Sequence, residues 1–430
     1  MDYQQTVNYL YNSTPVFEHV GASAYKEGLS NTLALDEHFG HPHRLFKTIH
    51  VAGTNGKGSC AHTLTAILQQ QGYRVGLYTS PHLVDFRERI RVNGQMISEQ
   101  RVVDFVEKER GFFEPLHPSF FELTTALAFL YFAEQKVDIA VVEVGLGGRL
   151  DCTNIITPLL CIITNISYDH TQFLGNTLAK IAGEKAGIIK PGVPVVIGES
   201  IAETRPVFES KAREMHAPIV FAEDNPEVLQ SSHCPDGGRD YTTRSFGQIH
   251  GELGGDYQDK NTNTVLTAVK LINDSKLLPA ISLDVLKSGF GQVCESSGLL
   301  GRWQKIHDKP LAVCDTGHNP GGWQYLSRQI KQQKAKVKRI VFGMVDDKDI
   351  DTVMGMLPSD AAYYWTQPTS KRAFPVEKVA ETAEKHHLKG LIIRDVDAAY
   401  RQALSEASTD DFIFVGGSSY VVADLLSKEL

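Results

Sequence analysis

Short apolar runs that end in glycine-rich or acidic segments recur along the chain and constrain its fold more than any other feature. Helical patterns separate them, as in Cys60–Gln71, where Leu64, Ile67 and Leu68 share one face. Strands that alternate with helices pair in parallel, because a parallel connection needs a crossover long enough to hold a helix. The sequence therefore predicts an α/β fold with mainly parallel sheets. The predicted strands are Thr48–Ala52, Val137–Val144, Leu159–Ile166, Val193–Ile197, Leu311–Cys314, Lys338–Met344, Ala361–Trp365, Leu391–Ile393 and Phe412–Val415, and further helices are predicted at Phe121–Glu134, Thr264–Leu271 and Gly321–Gln333.

The first strand runs directly into a glycine-rich loop that precedes a helix. The loop consists of Gly53, Thr54, Asn55, Gly56, Lys57, Gly58 and Ser59. A strand, a glycine loop and a helix N-terminus place backbone N–H groups around a phosphate, with the lysine reaching the terminal phosphates and the serine hydroxyl reaching Mg²⁺. The spacing differs from G-x4-GK[ST], and the alternative is a tight turn with an exposed lysine. The ordered succession of elements favours a nucleotide loop, and ATP over GTP, because no NKxD-like segment follows an apolar strand.

Three further polar side chains follow predicted strands of the same series. Glu143 ends one strand beside glycines, where ligand crevices of α/β folds form, and it is a candidate Mg²⁺ ligand or water-positioning residue. Its alternative is a salt-bridged glutamate at a strand end. Asp169 and His170 follow the next strand and could face the same crevice, although a lone histidine is often structural. Lys185 lies among small residues and is a stronger functional candidate than Lys190, which suits a helix C-terminus.

The polar segment Glu295–Gly301 precedes a new series of strands and helices, and we place a domain boundary there. We predict a P-loop NTPase-like, mainly parallel-sheet domain over residues 1–296 and a smaller Rossmann-like α/β domain over residues 297–430. The stretch 231–255 is rich in Gly, Asp, Thr and Ser and predicts a β excursion or loops on the first domain.

The second domain begins with its own candidate anion site. Arg302 could neutralise a triphosphate, and Asp315 at a strand end could hold a ribose hydroxyl or the base. The alternatives are a surface ion pair for Arg302 and a helix cap for Asp315. Gly416–Ser419 follows the last strand and is a further anion-friendly turn.

Composition excludes several classes of function. The formal net charge of -8 and the pI near 6.1 argue against nucleic-acid binding, including a nucleic-acid-handling or regulatory P-loop ATPase. The N-terminal residues lack the pattern of a signal peptide, and the apolar segment Leu123–Phe132 is too short to span a bilayer. We therefore expect a cytoplasmic protein that does not bind membranes.

Several long motifs in order identify a family. The sequence resembles folylpolyglutamate synthase and dihydrofolate synthase, which are members of the Mur ligase superfamily. The matching segments are GTNGKGS at Gly53–Ser59, TSPHL at Thr79–Leu83, ERI at Glu88–Ile90, GLGGRLDCTN at Gly145–Asn154, the long run Asp169–Pro191, DTGHNP at Asp315–Pro320 and GGSSY at Gly416–Tyr420.

The resemblance implies roles for individual residues of this chain. It implies that Lys57, Lys185, His170 and His318 are catalytic, and that Lys185 is carbamylated. The implied Mg²⁺ ligands are Ser59, Ser80, Glu143, His170 and carbamylated Lys185. The implied nucleotide-binding residues are the loop Gly53–Ser59 together with Asn261, Arg302 and Asp315. The implied substrate-binding residues are Ser80, Pro81 and His82, then Asp151 for the pterin, and His318 and Ser418 for glutamate. The chain departs from the family at Tyr257, where a histidine is usual, and in the DTGHN and GGSSY motifs.

The implied activity is ATP-dependent amide ligation through an acyl phosphate. The acceptor would be dihydropteroate and reduced folates, with L-glutamate as the amine, and we expect a monomer that binds only small molecules. Asp151 in the GGRLD segment favours a bifunctional enzyme, with a monofunctional folylpolyglutamate synthase as the alternative. A Mur-type cell-wall peptide ligase is less favoured, because it needs a nucleotide-sugar domain and only about 50 residues precede Gly53.

Overall fold

The structure is a computed structural model that describes residues 1–13, 28–346 and 348–428. The chain divides into two units. The first unit comprises Met1–Ser232, Asp240–Glu252 and Asp259–Leu299, and the second comprises His233–Arg239, Leu253–Gln258 and Leu300–Leu430. No helix in these described ranges is long and apolar enough to cross a membrane.

The first unit is built around an eight-stranded sheet. Its strands are β1 (Lys47–Ala52), β2 (Val75–Tyr78), β3 (Ile90–Val92), β4 (Gln95–Met96), β5 (Ile139–Glu143), β6 (Leu160–Ile163), β7 (Val195–Ile197) and β8 (Ile219–Phe221). Their order is β4-β3-β2-β5-β1-β6-β7-β8. All neighbours from β2 to β8 pair in parallel, and β3 and β4 add an antiparallel edge.

Helices cover this sheet, so its central strands are buried on both faces. On β5, Val141 packs in one apolar cluster with Ile49 and Val51, while Ala140 and Val142 pack in another. Successive side chains of a strand point to opposite faces, and burial of both explains why such strands appear as continuous apolar runs. The helices before residue 300 are Tyr3–Ser13, Ser30–His38, Lys57–Gln70, Glu99–Phe113, Phe120–Glu134, Thr171–Leu174, Leu178–Ala186, Arg205–Glu214, Gln258–Asp274, Leu283–Gly291 and Val293–Ser297, and short 3₁₀ turns lie at Pro42–Arg44, Phe86–Arg89, Glu114–Leu116 and Cys152–Ile155.

A separate three-stranded sheet confirms the predicted β excursion. Its strands are β9 (Val228–His233), β10 (Arg239–Thr243) and β11 (Gln248–Gly251), in the order β11-β10-β9.

The second unit contains a six-stranded sheet. Its strands are β12 (Gln304–His307), β13 (Leu311–Asp315), β14 (Lys338–Phe342), β15 (Ala361–Trp365), β16 (Gly390–Ile392) and β17 (Phe412–Gly416). Their order is β12-β13-β17-β14-β15-β16, with parallel pairing from β13 to β16 and an antiparallel β12. The helices are Pro320–Gln332, Ile350–Met354, Val376–Lys385, Val396–Ser405 and Ser419–Leu426.

All three tryptophans of the chain belong to the second unit's core. Trp323 packs edge-on against Phe342 and Phe414, while Trp303 stacks near Phe412 and Trp365 lies beside Phe342. All three side chains are buried.

The predicted fold class, α/β with two sheet domains, is confirmed. Each predicted strand is present, with bounds that differ by at most a few residues, and so is each predicted helix. The strands β2, β3, β4, β8 and β12 were not predicted. These strands are short, and β3 and β4 carry charged and polar residues that mask a strand pattern. Most helices other than the four named in the sequence analysis, Tyr3–Ser13 among them, were not predicted either.

Candidate active site

The glycine loop after β1 adopts a backbone conformation that its sequence requires. Gly53 has φ +146° and Gly56 has φ +83°, values that side-chain-bearing residues rarely adopt. A Cβ on Gly53 would lie 1.8 Å from Thr164 Oγ1, so the loop has no room for one. The helix that starts at Lys57 then directs the positive end of its dipole at the loop. Sequence and structure agree on an anion-binding geometry.

The segment after β6 fixes the loop in place. The backbone N–H of Thr54 donates to the Asn165 carbonyl at 2.9 Å, and that of Asn55 donates to Asn165 Oδ1 at 2.9 Å. Thr164 Oγ1 donates to the Asn55 carbonyl at 2.5 Å. Sequence reasoning missed Thr164 and Asn165. Their position could have been predicted, because they directly follow β6, which pairs in parallel with β1 and so ends beside the glycine loop.

Lys57 lies between this loop and the end of β5. Its Nζ donates to the Thr54 carbonyl at 3.1 Å and lies 4.0 Å from Glu143 Oε1. Glu143 is buried, and its Oε2 accepts the backbone N–H of Ser80 at 3.3 Å. The structure therefore brings together Lys57, Glu143 and Ser80, which the sequence places on three different segments.

Lys185 contacts the same loop through its side chain. Its side chain is buried, and Nζ donates to the Gly53 carbonyl at 2.9 Å. Burial and, next, the charge of Lys57 lower the pKa of Lys185 to about 7, while Asp169 and Asp151 act in the opposite direction. Two lysine side chains thus lie against one loop, and the lowered pKa makes Lys185 easier to deprotonate than an ordinary lysine.

Asp169 and His170 follow the loop that leaves β6. His170 has φ +49°, and its backbone N–H donates to Asp169 Oδ1 at 2.9 Å. Its Nε2 lies 3.9 Å from the same oxygen. The Ser167 N–H, just before this turn, donates to Thr54 Oγ1 at 3.0 Å, so the segment lies against the glycine loop.

Asn261 packs directly on the glycine loop. A Cβ on Gly56 would lie 2.2 Å from Asn261 Oδ1, which explains the glycine at this position. The predicted nucleotide residue Asn261 therefore lies against the predicted nucleotide loop, within the first unit.

Asp151 closes the turn that follows Gly145–Gly148. Its Oδ2 accepts the Leu146 N–H at 2.8 Å, and its Oδ1 accepts the N–H and hydroxyl of Thr153 at 3.0 and 2.5 Å. Burial raises the pKa of Asp151. Because these donors occupy both carboxylate oxygens, the geometry gives Asp151 a role in shaping this loop, and its predicted pterin contact stays a prediction.

In the second unit, Asp315 connects several segments. The Tyr257 hydroxyl donates to its Oδ2 at 2.6 Å, the Trp303 N–H donates to the same oxygen at 2.7 Å, and the Gly317 N–H donates to Oδ1 at 2.8 Å. Burial raises the pKa of Asp315, and the charge of Arg302 opposes this. The alternative of a helix cap is wrong, because Asn319 accepts the Gly322 N–H and caps the helix Pro320–Gln332.

Arg302 and His318 both contact Thr316. The Arg302 guanidinium donates to the Thr316 hydroxyl and, at 3.2 Å, to the Gly301 carbonyl. His318 Nδ1 donates to the Thr316 carbonyl at 3.1 Å, since a carbonyl only accepts. In the neutral ring this leaves the lone pair on Nε2.

Ser418 follows β17, the strand that pairs with the Asp315 strand β13. Asp315 and Gly416 are directly paired on β13 and β17, so the DTGHNP and GGSSY turns are neighbours. Ser418 Oγ accepts the Val421 N–H at 3.2 Å and caps the helix Ser419–Leu426, which leaves its hydroxyl proton as a donor. Trp323 Nε1–H donates to the Gly317 carbonyl at 3.1 Å and ties the first of these turns to the core.

Comparison with known proteins identifies the class and then the family. Residues 51–197 match the Mur ligase middle domain, and residues 301–419 match the glutamate ligase domain of Mur ligases. The dihydrofolate synthase/folylpolyglutamate synthase of Bacillus subtilis is 33% identical over 415 residues, which cover 94% of this chain and 95% of that protein. The chain belongs to the dihydrofolate synthase/folylpolyglutamate synthase family. The predicted family and the predicted class of enzyme, an ATP-dependent amide ligase, are therefore confirmed.

Solved structures agree with this assignment. The structure of Escherichia coli FolC in complex with DHPP and ADP has a TM-score of 0.84 and 28% identity, and the alignment covers 100% of this chain and 98% of that one. A bifunctional folylpolyglutamate synthase/dihydrofolate synthase with Mn, AMPPNP and L-glutamate bound has a TM-score of 0.82 and 30% identity, with 100% and 98% coverage.

The Gly53→Ala substitution should destabilise the first unit. The new Cβ meets Thr164 Oγ1 at 1.8 Å, and φ +146° is unfavourable for alanine, so we expect a loss of about 2–4 kcal/mol in the free energy of unfolding. Urea unfolding followed by circular dichroism measures it. The control is Gly183→Ala, in a helix with no atom within 4 Å of the new Cβ, which should be neutral or slightly stabilising. Equal stability of the two variants would contradict the close approach at Gly53.

Proposed function

We propose that this protein joins L-glutamate to dihydropteroate and to reduced folates, with ATP as the source of activation. The observation that supports it most is the convergence of Lys57 and Lys185 on the glycine loop, with Glu143 4.0 Å from Lys57 Nζ. This combination suits a triphosphate whose negative charge the two lysines and the helix dipole would offset. The solved relatives with ADP or AMPPNP are consistent with it.

The donor set of the first unit fits a divalent cation, which we propose to be Mg²⁺. Ser59 and Ser80 offer hydroxyl oxygens, and Glu143 offers a buried carboxylate, all ligands that Mg²⁺ prefers. His170 and carbamylated Lys185 would add to this set. When bound, the metal would neutralise charge on the phosphates. A relative has been solved with Mn, AMPPNP and L-glutamate bound.

The first chemical step is attack of the acceptor carboxylate on the γ-phosphorus of ATP. The bond from that phosphorus to the β,γ-bridging oxygen breaks, ADP leaves, and an acyl phosphate forms. Lys57 and the loop N–H groups would stabilise charge on the transferred phosphoryl group, and Asn261 would hold another part of the nucleotide within the same unit. The nucleotide-binding roles of Arg302 and Asp315 stay predictions. Asp315 would act indirectly, by fixing the segments that carry Tyr257 and Trp303, because its own oxygens already accept three donors.

The second step is attack of the glutamate amine on the acyl carbon. Phosphate leaves and the amine loses a proton. His318 is suited to accept it at Nε2, because Nδ1 donates to the Thr316 carbonyl. Ser418 would donate its hydroxyl proton to a glutamate carboxylate, and Arg302 adds positive charge in the same unit.

Lys185 is proposed to react with CO₂ to give a carbamate and a proton. Only the neutral amine reacts, and the lowered pKa provides it. The carbamate N–H can still donate to the Gly53 carbonyl. The change also replaces repulsion between Lys185 and Lys57 with attraction.

Substrate range is the experiment that tests the proposal. Purified protein is assayed with MgATP and L-glutamate, using either dihydropteroate or tetrahydrofolate, and amide products are identified by mass spectrometry. We expect both acceptors to be used. Product from tetrahydrofolate alone would leave a monofunctional folylpolyglutamate synthase, and no product from either would overturn the proposal. The cytoplasmic location and monomeric state expected from the sequence stay predictions.

The Lys57→Ala substitution should abolish ligation, with a fall in kcat of at least about 10³-fold, because it removes the loop cation that lies 4.0 Å from Glu143. The coupled release of ADP with dihydropteroate and glutamate measures it. Lys47→Ala, at the exposed start of β1, is the matched control and should keep wild-type turnover. Retained turnover in Lys57→Ala would refute the phosphate-loop assignment.

Carbamylation of Lys185 should be detectable by ¹³C NMR after equilibration with ¹³C-bicarbonate at pH 8. With a pKa of about 7 the amine is about 90% neutral at this pH, whereas a lysine with the ordinary pKa of 10.5 is about 0.3% neutral. Below pH 7 the amine becomes protonated and the signal should decline. Lys185→Met should lose the signal and about 10²-fold in turnover.

Lys190→Met is the control for this measurement, because burial also lowers the pKa of Lys190. The control should keep the carbamate signal. A signal that persists in Lys185→Met would place the carbamate elsewhere.

A further inference from the structure

The N-terminal helix Tyr3–Ser13 is bonded to the loop that follows β2. The Tyr3 hydroxyl donates to Asp85 Oδ1 at 2.7 Å, and Tyr11 Oη lies 2.8 Å from His82 Nε2. The Arg87 guanidinium lies over the Tyr3 ring at 5.3 Å. Two tyrosines two helical turns apart thus reach the two ends of the segment 82–85.

The hydrogen bond at Tyr11 has a defined direction. Arg89 Nε lies 2.7 Å from His82 Nδ1, and a guanidinium only donates. His82 Nδ1 must therefore accept, which leaves the ring neutral with its proton on Nε2. That proton is donated to Tyr11 Oη. The hydrogen bonds thus run in one direction, from Arg89 to His82 and from His82 to Tyr11.

Phe120 supports the residues at both ends of these hydrogen bonds. The Tyr11 ring stacks on Phe120 with centroids 4.9 Å apart and planes at 15°, and the buried Arg89 guanidinium lies 5.1 Å from the same ring. His82 is thereby held between Tyr11 and Arg89, which both pack on the Phe120 ring. Two hydrogen bonds to partners that are themselves packed on Phe120 restrict the rotation of the imidazole more than a single hydrogen bond would.

His82 belongs to the segment Ser80–His82, which the family resemblance predicts to bind substrate. Two residues earlier, the Ser80 N–H donates to Glu143 at 3.3 Å, and one residue later, the Leu83 N–H donates to Glu88 Oε2 at 2.8 Å. The backbone of the loop is fixed on both sides of His82. Its side-chain orientation is then set by Tyr11 and Arg89.

We propose that Tyr11 is a positioning residue for the acceptor, which acts by holding the His82 imidazole in one orientation and one tautomer. The proposal rests on the proposed function and on the predicted substrate contact of Ser80, Pro81 and His82. Tyr11 itself lies on a helix that the sequence did not predict. A purely structural role for its hydroxyl would instead change stability without changing acceptor affinity.

The test compares Tyr11→Phe with Tyr9→Phe. The first variant keeps the ring that stacks on Phe120 and removes only the oxygen. The second removes a hydroxyl of the same helix that donates to Glu114 Oε1 at 2.8 Å, away from the loop. Loss of one neutral hydrogen bond should raise the acceptor KM and Kd about three- to tenfold in Tyr11→Phe, and leave the KM for ATP unchanged. Tyr9→Phe should match the wild type in all three constants.

Two measurements separate this proposal from the proposed function. Calorimetric titration with 7,8-dihydropteroate in the absence of ATP gives the Kd without turnover, and steady-state assays give the KM values. Equal acceptor Kd in Tyr11→Phe and wild type would overturn the positioning role, whatever the turnover. A lowered unfolding midpoint in Tyr11→Phe with unchanged acceptor Kd would assign the hydroxyl to stability alone. Wild-type protein that binds dihydropteroate but forms no amide would overturn the proposed function and leave the Tyr11 comparison valid.

Discussion

Two ammonium groups directed at one glycine loop are the interaction on which the rest of this site depends. Lys57 donates to the Thr54 carbonyl and Lys185 to the Gly53 carbonyl, and repulsion by the Lys57 charge lowers the pKa of Lys185. Burial further destabilises the charged form of Lys185, since little solvent reaches its ammonium group. Glu143 offsets part of this, and any bound polyphosphate would offset much more. The apo loop therefore favours an anionic ligand by electrostatics alone.

Parallel strands explain why so much of this site could be predicted from the sequence. The carboxyl ends of neighbouring parallel strands meet at one edge, so Gly53 and Glu143, at the ends of β1 and β5, had to be close. The same reasoning covers Asp315 and the Gly416 turn in the second unit. This prediction needs only the positions of the strands in the sequence and the residue that follows each strand.

The unpredicted parts depend on side-chain contacts between distant segments. Asn165 supports a loop 110 residues earlier, and Tyr11 contacts a histidine 71 residues later, and no local pattern marks either pair. Asp315 illustrates the same limit, because a strand-end acid before a helix suggests a cap, yet Asn319 takes that role and Asp315 bonds to Tyr257 and Trp303. Local propensity determines which residues form helices and strands. Tertiary hydrogen bonds determine which polar side chain caps a helix and which one holds neighbouring segments.

Because all three tryptophans lie in the second unit, intrinsic tryptophan fluorescence reports on that unit alone. Trp303, Trp323 and Trp365 all lie in the second unit, and Trp323 also bonds to the turn that carries His318. Indole fluorescence is sensitive to packing and to nearby hydrogen bonds. Its intensity and wavelength should therefore follow melting or rearrangement of the second unit, while a signal of the whole backbone follows both units, so the two can be resolved without any label.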